Sequence, residues 1–113
     1  MHNHDYWVYI LTKKHCTTLY IGITNDIVRR LYQHRYGQVK GFTKRYHLSR
    51  LVWVEHFRNV TDAIACEKRL KGWRRSRKAA LIHQTNPRWL DLSDDWDQQP
   101  KSFDRPWEPA EII

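Results

Sequence analysis

The sequence predicts a small α+β domain in which three helices flank a three-stranded sheet. Apolar, β-branched and aromatic runs of strand length occur at residues 7–11, 18–24 and 51–57. The segments after the second and third runs have the apolar spacing of helices. The whole chain has 113 residues, the usual size of one domain. The order β-β-α-β-α-α is therefore expected to form a small α+β sandwich with a mixed or antiparallel sheet.

The first two strands and the first helix follow one another with short connections. The polar segment between the two strands is short enough for a hairpin, so we expect them to pair antiparallel. Asn25 or Asp26 is a suitable N-cap for a helix over residues 27–36, which stops at Gly37. A basic loop over residues 38–50 leads to the third strand.

Two helices complete the predicted domain. Asn59 or Thr61 is expected to cap a second helix over residues 62–73. A basic break at residues 74–77 separates it from a third helix. That helix ends before the Asn-Pro pair that begins at Asn86, because a residue before proline disfavours the helical conformation.

The charge of the chain is unevenly distributed. Residues 91–113 contain seven acids and two bases, a net charge of −5, while the rest of the chain contains 18 bases and five acids, a net charge of +13. A body this basic attracts phosphate backbones, and its arginines and aromatic rings suit phosphates and unpaired bases. We expect nucleic acid as the partner, and an acidic, poorly ordered tail over residues 93–113 that folds back and restrains activity.

Several classes of protein are excluded or disfavoured by composition. No apolar run approaches the roughly 18–20 residues of a membrane helix, and the N-terminus lacks the pattern of a signal peptide. Cys16 and Cys66 provide neither a disulfide framework nor a zinc motif. His2 and His4 fall short of the four ligands usual for zinc. We expect a cytoplasmic protein, and the sequence indicates no obligate protein partner.

Two titratable residues lie on the predicted apolar face of the first helix. Ile27, Arg30, Leu31 and His34 fall at positions i, i+3, i+4 and i+7. A lone Arg at the edge of such a face usually extends to solvent, and a lone His is usually a hydrogen-bonded core residue. An Arg and a His one turn apart weaken that structural interpretation without excluding it.

Glu67 borders the apolar face of the second helix, and it is the only acid between Asp62 and Asp91. A carboxylate at a dry edge among many cations is a natural ligand for a hard divalent cation. The alternative is a salt bridge with Lys71, one helical turn later. Both interpretations stay open at this point.

Two short tyrosine motifs precede the Arg, His and Glu residues described above. In chain order these features are Val8-Tyr9-Ile10, Tyr20-Ile21-Gly22, Arg30, His34 and Glu67. This pattern resembles the GIY-YIG nuclease family, although Trp7-Val8-Tyr9 stands where the family has Gly-Ile-Tyr. Three further stretches, residues 41–44, 65–74 and 86–89, resemble its small single-domain members, and the resemblance covers residues 5–92.

The resemblance implies a three-stranded antiparallel sheet flanked by helices and a metal-dependent endonuclease that hydrolyses phosphodiester bonds of DNA. Glu67 would hold one Mg²⁺ or Mn²⁺, Arg30 would grip the scissile phosphate, and Tyr20 would position the water or the phosphate. Either Tyr9 or His34 would activate the water. A free tyrosine has a pKa near about 10, which nearby positive charge would have to lower, whereas that of histidine is about 6.5.

The family's basic residue after the second motif is replaced here by Ile23, so a loop cation such as Lys44 or Arg45 is expected to take over its contact. Single-stranded, double-stranded and branched DNA are all compatible with the sequence. The alternative function is a non-catalytic nucleic-acid-binding module that retains the nuclease fold. The expected nucleic-acid contacts are Lys44, Arg45, Arg74, Arg75 and Asn86.

Overall fold

The computed structural model describes residues 4–13, 18–35 and 50–93. Lys44, Arg45 and the acidic tail beyond Ser93 lie outside these residues, so their predicted roles stay predictions. The order of elements is the predicted β-β-α-β-α-α. The elements are β1 (Tyr6–Thr12), β2 (Leu19–Thr24), α1 (Ile27–Arg35), β3 (Arg50–Phe57), α2 (Val60–Lys71) and α3 (Arg75–Thr85).

The three strands form one sheet in the order β2-β1-β3, and both pairings are antiparallel. This confirms the antiparallel sheet and removes the mixed alternative. The first strand is central, and its Tyr9 pairs with Gly22 of β2 on one side and with Val54 of β3 on the other. Among the described strands, β2 therefore lies at an edge of the sheet.

Helices cover both faces of the sheet. Side chains alternate along β1 between the two faces: Val8 and Ile10 pack in the cluster that contains α2, whereas Tyr9 and Leu11 pack with α1. All four are at most 1% exposed. The sheet is thus the middle of three layers, with α1 on one side and α2 and α3 on the other.

For each of the first two helices, one of the two residues predicted as the N-cap forms capping hydrogen bonds. The Asp26 carboxylate accepts a hydrogen bond from the backbone N–H of Arg29 at 3.1 Å. The Asn59 side chain accepts from the backbone N–H groups of Thr61 and Asp62, so Asn59 rather than Thr61 is the cap of α2.

The predicted basic break at residues 74–77 is wrong in extent. The backbone N–H groups of Arg77 and Lys78 both bond to the carbonyl of Arg74 at 3.1 Å, so α3 already begins at Arg75. Arginine and lysine are good helix formers. Because residues 74–77 are exposed, their charges are solvated and do not prevent α3 from forming. The connection between α2 and α3 is correspondingly short.

Residues 86–93 fold back onto the start of β3. The backbone N–H of Leu92 bonds to the carbonyl of Leu51 at 2.8 Å, and the N–H of Leu51 bonds to the carboxylate of Asp91 at 3.2 Å.

Across the part of the chain that the structure describes, no helix has both the length and the apolar character needed to cross a membrane.

Candidate active site

A pocket of about 80 Å³ lies at the edge strand β2 and brings together most of the predicted catalytic residues. It draws on both sides of the sheet: Arg30 comes from α1, and Glu67 and Lys71 come from α2 around the open edge of β2. The site is therefore possible only because β2 ends the sheet on this side. The lining residues are Tyr9, Tyr20, Ile21, Gly22, Ile23, Arg30, Glu67 and Lys71.

The remaining predicted residue, His34, does not line the pocket but contacts Tyr9, which does. Its Nε2 lies 3.1 Å from the hydroxyl oxygen of Tyr9, within hydrogen-bond distance. The His34 ring packs edge-on against both tyrosines, with ring centroids 5.9 Å from Tyr9 and 5.4 Å from Tyr20. The structure thus brings Tyr9, Tyr20, Arg30, His34 and Glu67 together, and the catalytic roles that the resemblance implies for them stay predictions.

Gly22 is required for this arrangement by the packing of Tyr9. The two residues are cross-strand partners, and the Tyr9 ring lies over the place where a side chain at Gly22 would start. A Cβ atom built at Gly22 would be 2.4 Å from both Cζ and the hydroxyl oxygen of Tyr9. Glycine in this strand therefore permits the close approach of the Tyr9 ring from the neighbouring strand.

The two residues that depart from the family name lie outside the pocket lining. Val8 is fully buried in the cluster on the α2 side. Trp7 packs against the cluster that contains Tyr9, and its ring lies at a tilt to His56 with ring centroids 4.5 Å apart. Of the three residues in the motif, only Tyr9 lines the pocket.

Burial holds both Tyr9 and His34 in their neutral forms. The pKa of Tyr9 is raised above its usual value of 10.0, chiefly by burial and then by the neighbouring Tyr20, while Arg30 acts in the opposite direction. The pKa of His34 is lowered to about 3, again chiefly by burial and then by Arg30. The sequence-based requirement that positive charge lower the pKa of Tyr9 is not met in this site, because burial outweighs Arg30.

Arg30 is buried beside both groups. Only 4% of the residue is exposed, and its positive charge acts on Tyr9 and on His34. A guanidinium held in a nearly dry wall presents a strong, directional charge to an anion that enters the pocket. Its place on the apolar face of α1 is therefore consistent with the predicted phosphate-binding role.

Glu67 forms the salt bridge with Lys71 that was one of its two sequence-based interpretations, and its role as a metal ligand stays a prediction. Its carboxylate forms an ion pair with the amine of Lys71 at 2.7 Å, and it also lines the pocket, with a side chain that is only 15% exposed. The carboxylate is thus held at the pocket by Lys71. Lys71 was expected only as a salt-bridge partner, and its second role as a pocket residue could have been inferred from its helical spacing to Glu67.

The predicted nucleic-acid contacts that fall within the described residues do not line the pocket. Arg74 and Arg75 are exposed at the start of α3 and line no part of it. Ile23 is 3% exposed and gives the pocket an apolar wall where the family has a cation. Within the described residues, Lys71 brings a second positive charge to the pocket in addition to Arg30.

The prediction that Asn86 contacts nucleic acid is wrong, because its side chain is buried and bonded to the backbone. It is 4% exposed, and its amide nitrogen donates to the carbonyls of Val52 and Leu90 at 3.1 and 2.8 Å. Its carbonyl oxygen accepts from the N–H of Leu90 at 3.0 Å. Its role in the structure is to fix the turn after α3 against β3.

Comparisons with known proteins agree with the fold and with the family resemblance. Residues 5–80 match the sequence model of the GIY-YIG catalytic domain. The UPF0213 protein of Bacillus pumilus is 32% identical over 84 residues, which are 74% of this chain and 85% of that protein. The UPF0213 protein of Staphylococcus saprophyticus is 32% identical over 79 residues, 70% of this chain and 95% of that one.

A solved structure is also similar. The solution NMR structure of a UPF0213 protein from Bacillus halodurans superposes with a TM-score of 0.51 at 28% identity, and the match covers 75% of this chain and 89% of that one. The similarity to these proteins extends over most of the described fold, from the sheet to the helices that carry Arg30 and Glu67. The chain belongs to the GIY-YIG catalytic-domain family and is similar to its small UPF0213 members.

Proposed function

We propose that this protein is a divalent-metal-dependent endonuclease that hydrolyses phosphodiester bonds of DNA. The observation that carries the proposal is the convergence at β2 of three kinds of group that such a reaction needs. These are a hydrogen-bonded Tyr9–His34 pair, the buried cation Arg30 and the carboxylate of Glu67, all at one pocket. Family membership supports the same reaction class.

The residues present fit Mg²⁺ or Mn²⁺ as the cofactor. Among the described residues there is no group of three or more His, Cys, Asp and Glu side chains that could enclose a metal ion. A protein zinc site needs three or four such ligands, so the described residues do not match one. Mg²⁺ is usually held by one or two carboxylates and keeps several waters and substrate phosphate oxygens. Glu67 would hold it, and the bound cation would supply neutralisation of the charge that develops on the phosphate and the leaving oxygen.

Arg30 is proposed to bind the scissile phosphate. Its burial means that little water competes for the guanidinium, so the interaction with the phosphate is strengthened. The phosphate gains negative charge as the water oxygen approaches the phosphorus, and Arg30 is fixed in place before the reaction starts. The cation therefore favours the transition state over the ground state.

Proton transfer is proposed to run from the attacking water to Tyr9 and from Tyr9 to His34. The neutral imidazole of His34 can accept the hydroxyl proton of Tyr9 at Nε2, 3.1 Å away. Arg30 contributes to the low pKa of His34 in the free protein. A bound phosphate offsets the charge of Arg30 and adds negative charge beside His34, so it raises the pKa of the imidazole when the proton has to be accepted. The new P–O bond forms as the bond to the leaving oxygen breaks, the leaving oxygen takes a proton from solvent water, and His34 later returns its proton to solvent.

The test is cleavage of labelled single-stranded, double-stranded and branched DNA in Mg²⁺, Mn²⁺ or EDTA, with a Glu67→Gln protein as the blank. We expect products that require the metal and are absent with Glu67→Gln. The preferred substrate would then define the class of DNA that the enzyme cuts. Cleavage that persists in EDTA would contradict the metal dependence.

A second function is favoured by one observation, the 2.7 Å ion pair that already engages Glu67 with Lys71. If that pair persists with substrate bound, the protein would be a nucleic-acid-binding module with the nuclease fold and no cleavage. It would then bind every DNA in a salt-dependent manner and ignore Mg²⁺. Binding without product on all substrates would favour this function over the nuclease.

A further inference from the structure

A second concavity continues from the candidate active site along β2. It has a volume of about 280 Å³ and is referred to here as the lysine groove. It shares Tyr20, Ile21 and Lys71 with the active-site pocket, so the two spaces adjoin across these three residues. The residues that line the lysine groove are Leu19, Tyr20, Ile21, Lys71 and Lys78.

The lysine groove combines an apolar floor with two cations. Leu19 and Ile21 come from the edge strand, whereas Lys71 and Lys78 come from the end of α2 and the first turn of α3. Lys78 is half-buried, and no carboxylate of the described residues forms an ion pair with it. Lysine stems can lie along apolar surface while the amines reach solvent. The groove therefore suits a ligand with an anionic group beside an apolar one.

The size and position of the groove limit the kind of ligand. Its volume of about 280 Å³ is near the lower end, about 300 Å³, of the usual range for small-molecule sites, so a single unit such as one nucleotide is the largest part of a ligand that it would hold. Lys71 lines both the groove and the pocket that Arg30 and Glu67 line. An anion in the groove would therefore lie next to an anion in that pocket.

We propose that the lysine groove binds the nucleotide next to the scissile phosphodiester, with Lys78 as a substrate-positioning residue that contacts its phosphate. The sugar or base of this nucleotide lies against Leu19 and Ile21. The assignment rests on the proposed nuclease function for the meaning of "scissile", but the binding that it describes does not require cleavage. Lys78 is a cleaner position for a test than Lys71, which also holds Glu67.

The experiment measures the affinity of DNA oligonucleotides for Glu67→Gln protein over a range of salt concentrations. Adding Lys78→Gln removes one positive charge and keeps a side chain of similar length. We expect about a tenfold loss of affinity, as for one charge-assisted contact. The slope of log affinity against log salt should also fall by about 0.7–0.9, as for one phosphate contact. Lys78→Arg should restore both.

The matched control is Lys68→Gln, because Lys68 is exposed on α2 and lines neither the pocket nor the lysine groove. Equal effects of Lys78→Gln and Lys68→Gln would overturn the proposal and reduce Lys78 to part of a general basic surface. In the background with Glu67 intact, Lys78→Gln should raise KM several-fold.

The outcomes also separate this proposal from the proposed function. If the protein cuts DNA and Lys78→Gln binds as tightly as its parent, the lysine groove is wrong and the nuclease stands. If the protein never cuts DNA but Lys78→Gln alone weakens binding, the groove stands as a nucleotide site and the nuclease fails.

Discussion

At the scale of single residues, the site depends on one cross-strand pair. Tyr9 and Gly22 face each other across the antiparallel β1–β2 ladder, and the Tyr9 ring fills the space that a side chain at Gly22 would occupy. This places the Tyr9 hydroxyl within 3.1 Å of Nε2 of His34. The glycine is therefore part of the geometry that orients the tyrosine.

Gly22→Ala should damage both stability and activity. The added methyl group would overlap the Tyr9 ring, so the ring must shift from the position that holds its hydroxyl oxygen 3.1 Å from Nε2 of His34. We expect the free energy of unfolding, measured by urea denaturation, to fall by about 1–3 kcal/mol. The cleavage rate in a single-turnover assay should fall by more than this loss of stability alone explains.

Gly72→Ala is the matched control for that change. Gly72 has a φ of −84° at the end of α2, and the nearest atom to an added Cβ is a carbonyl oxygen at 3.6 Å. This variant should fold and cut like the parent. Equal behaviour of Gly22→Ala and Gly72→Ala would contradict the proposed packing of Tyr9.

His34 makes a specific prediction about stability and pH. Its pKa is about 3 in the folded protein against an ordinary value of 6.5, so the unfolded chain binds more protons between these values. Stability is therefore fully present above about pH 6.5 and falls as the pH drops toward 3. The slope from this residue is up to about 1.4 kcal/mol per pH unit.

The check is urea denaturation of the parent and of His34→Gln at about pH 7.5 and at about pH 5. The parent should lose more free energy of unfolding than the variant over this interval, because glutamine does not titrate. Parallel losses in the two proteins would mean that His34 is protonated as readily in the folded state as in the unfolded state.

At the scale of elements, the edge position of β2 determines where the site can be. Arg30 on α1 and Glu67 on α2 belong to layers on opposite faces of the sheet, and they meet only around this edge. The family motifs and helical spacing could predict which residues take part. They could not predict that the meeting point is an edge, since the strand order depends on long-range pairing.

Asn86 shows why one predicted contact failed. An Asn before a Pro is typical of a turn, and the sequence alone does not show whether its amide faces solvent or the backbone. Here the amide bonds to the carbonyls of Val52 and Leu90. The start of α3 at Arg75 differs from the prediction for another reason: the basic segment over residues 74–77 predicts a break, yet arginine favours helices.

Asn86→Ala should therefore lower stability without weakening the binding of nucleic acid. Removing its amide leaves buried backbone groups unsatisfied, which costs about 2 kcal/mol or more. Thermal or urea unfolding measures the first effect, and DNA affinity at a temperature where the variant stays folded measures the second. A large loss of affinity with unchanged stability would restore the predicted nucleic-acid role.

At the scale of the whole molecule, the uneven distribution of charge is the feature from which the sequence predicts affinity for nucleic acid. The composition predicted a nucleic-acid partner from a basic body and an acidic tail. The structure adds that two of the body's cations, Lys71 and Lys78, border a groove next to the active-site pocket. Which cations would be close to the pocket could not be predicted, because it depends on how α2 and α3 pack beside β2.

Removal of residues 94–113 should tighten DNA binding. The deletion removes six acids and two bases, so the net positive charge of the protein increases and its attraction for phosphate strengthens. Affinity at low and at high salt is the measurement, and the gain should shrink at high salt because charges are screened. Unchanged affinity at low salt would show that the acidic tail does not restrain binding.

The central claim is that Glu67 serves the chemistry of phosphodiester cleavage. The most direct measurement is the single-turnover cleavage rate of a labelled DNA by the parent and by Glu67→Gln in saturating Mg²⁺, with the Kd of both proteins for that DNA. We predict a rate lower by a factor on the order of 10³ or more with Kd nearly unchanged, because the carboxylate acts in the transition state and contributes little to binding. A Glu67→Gln protein that cuts as fast as the parent would contradict the account.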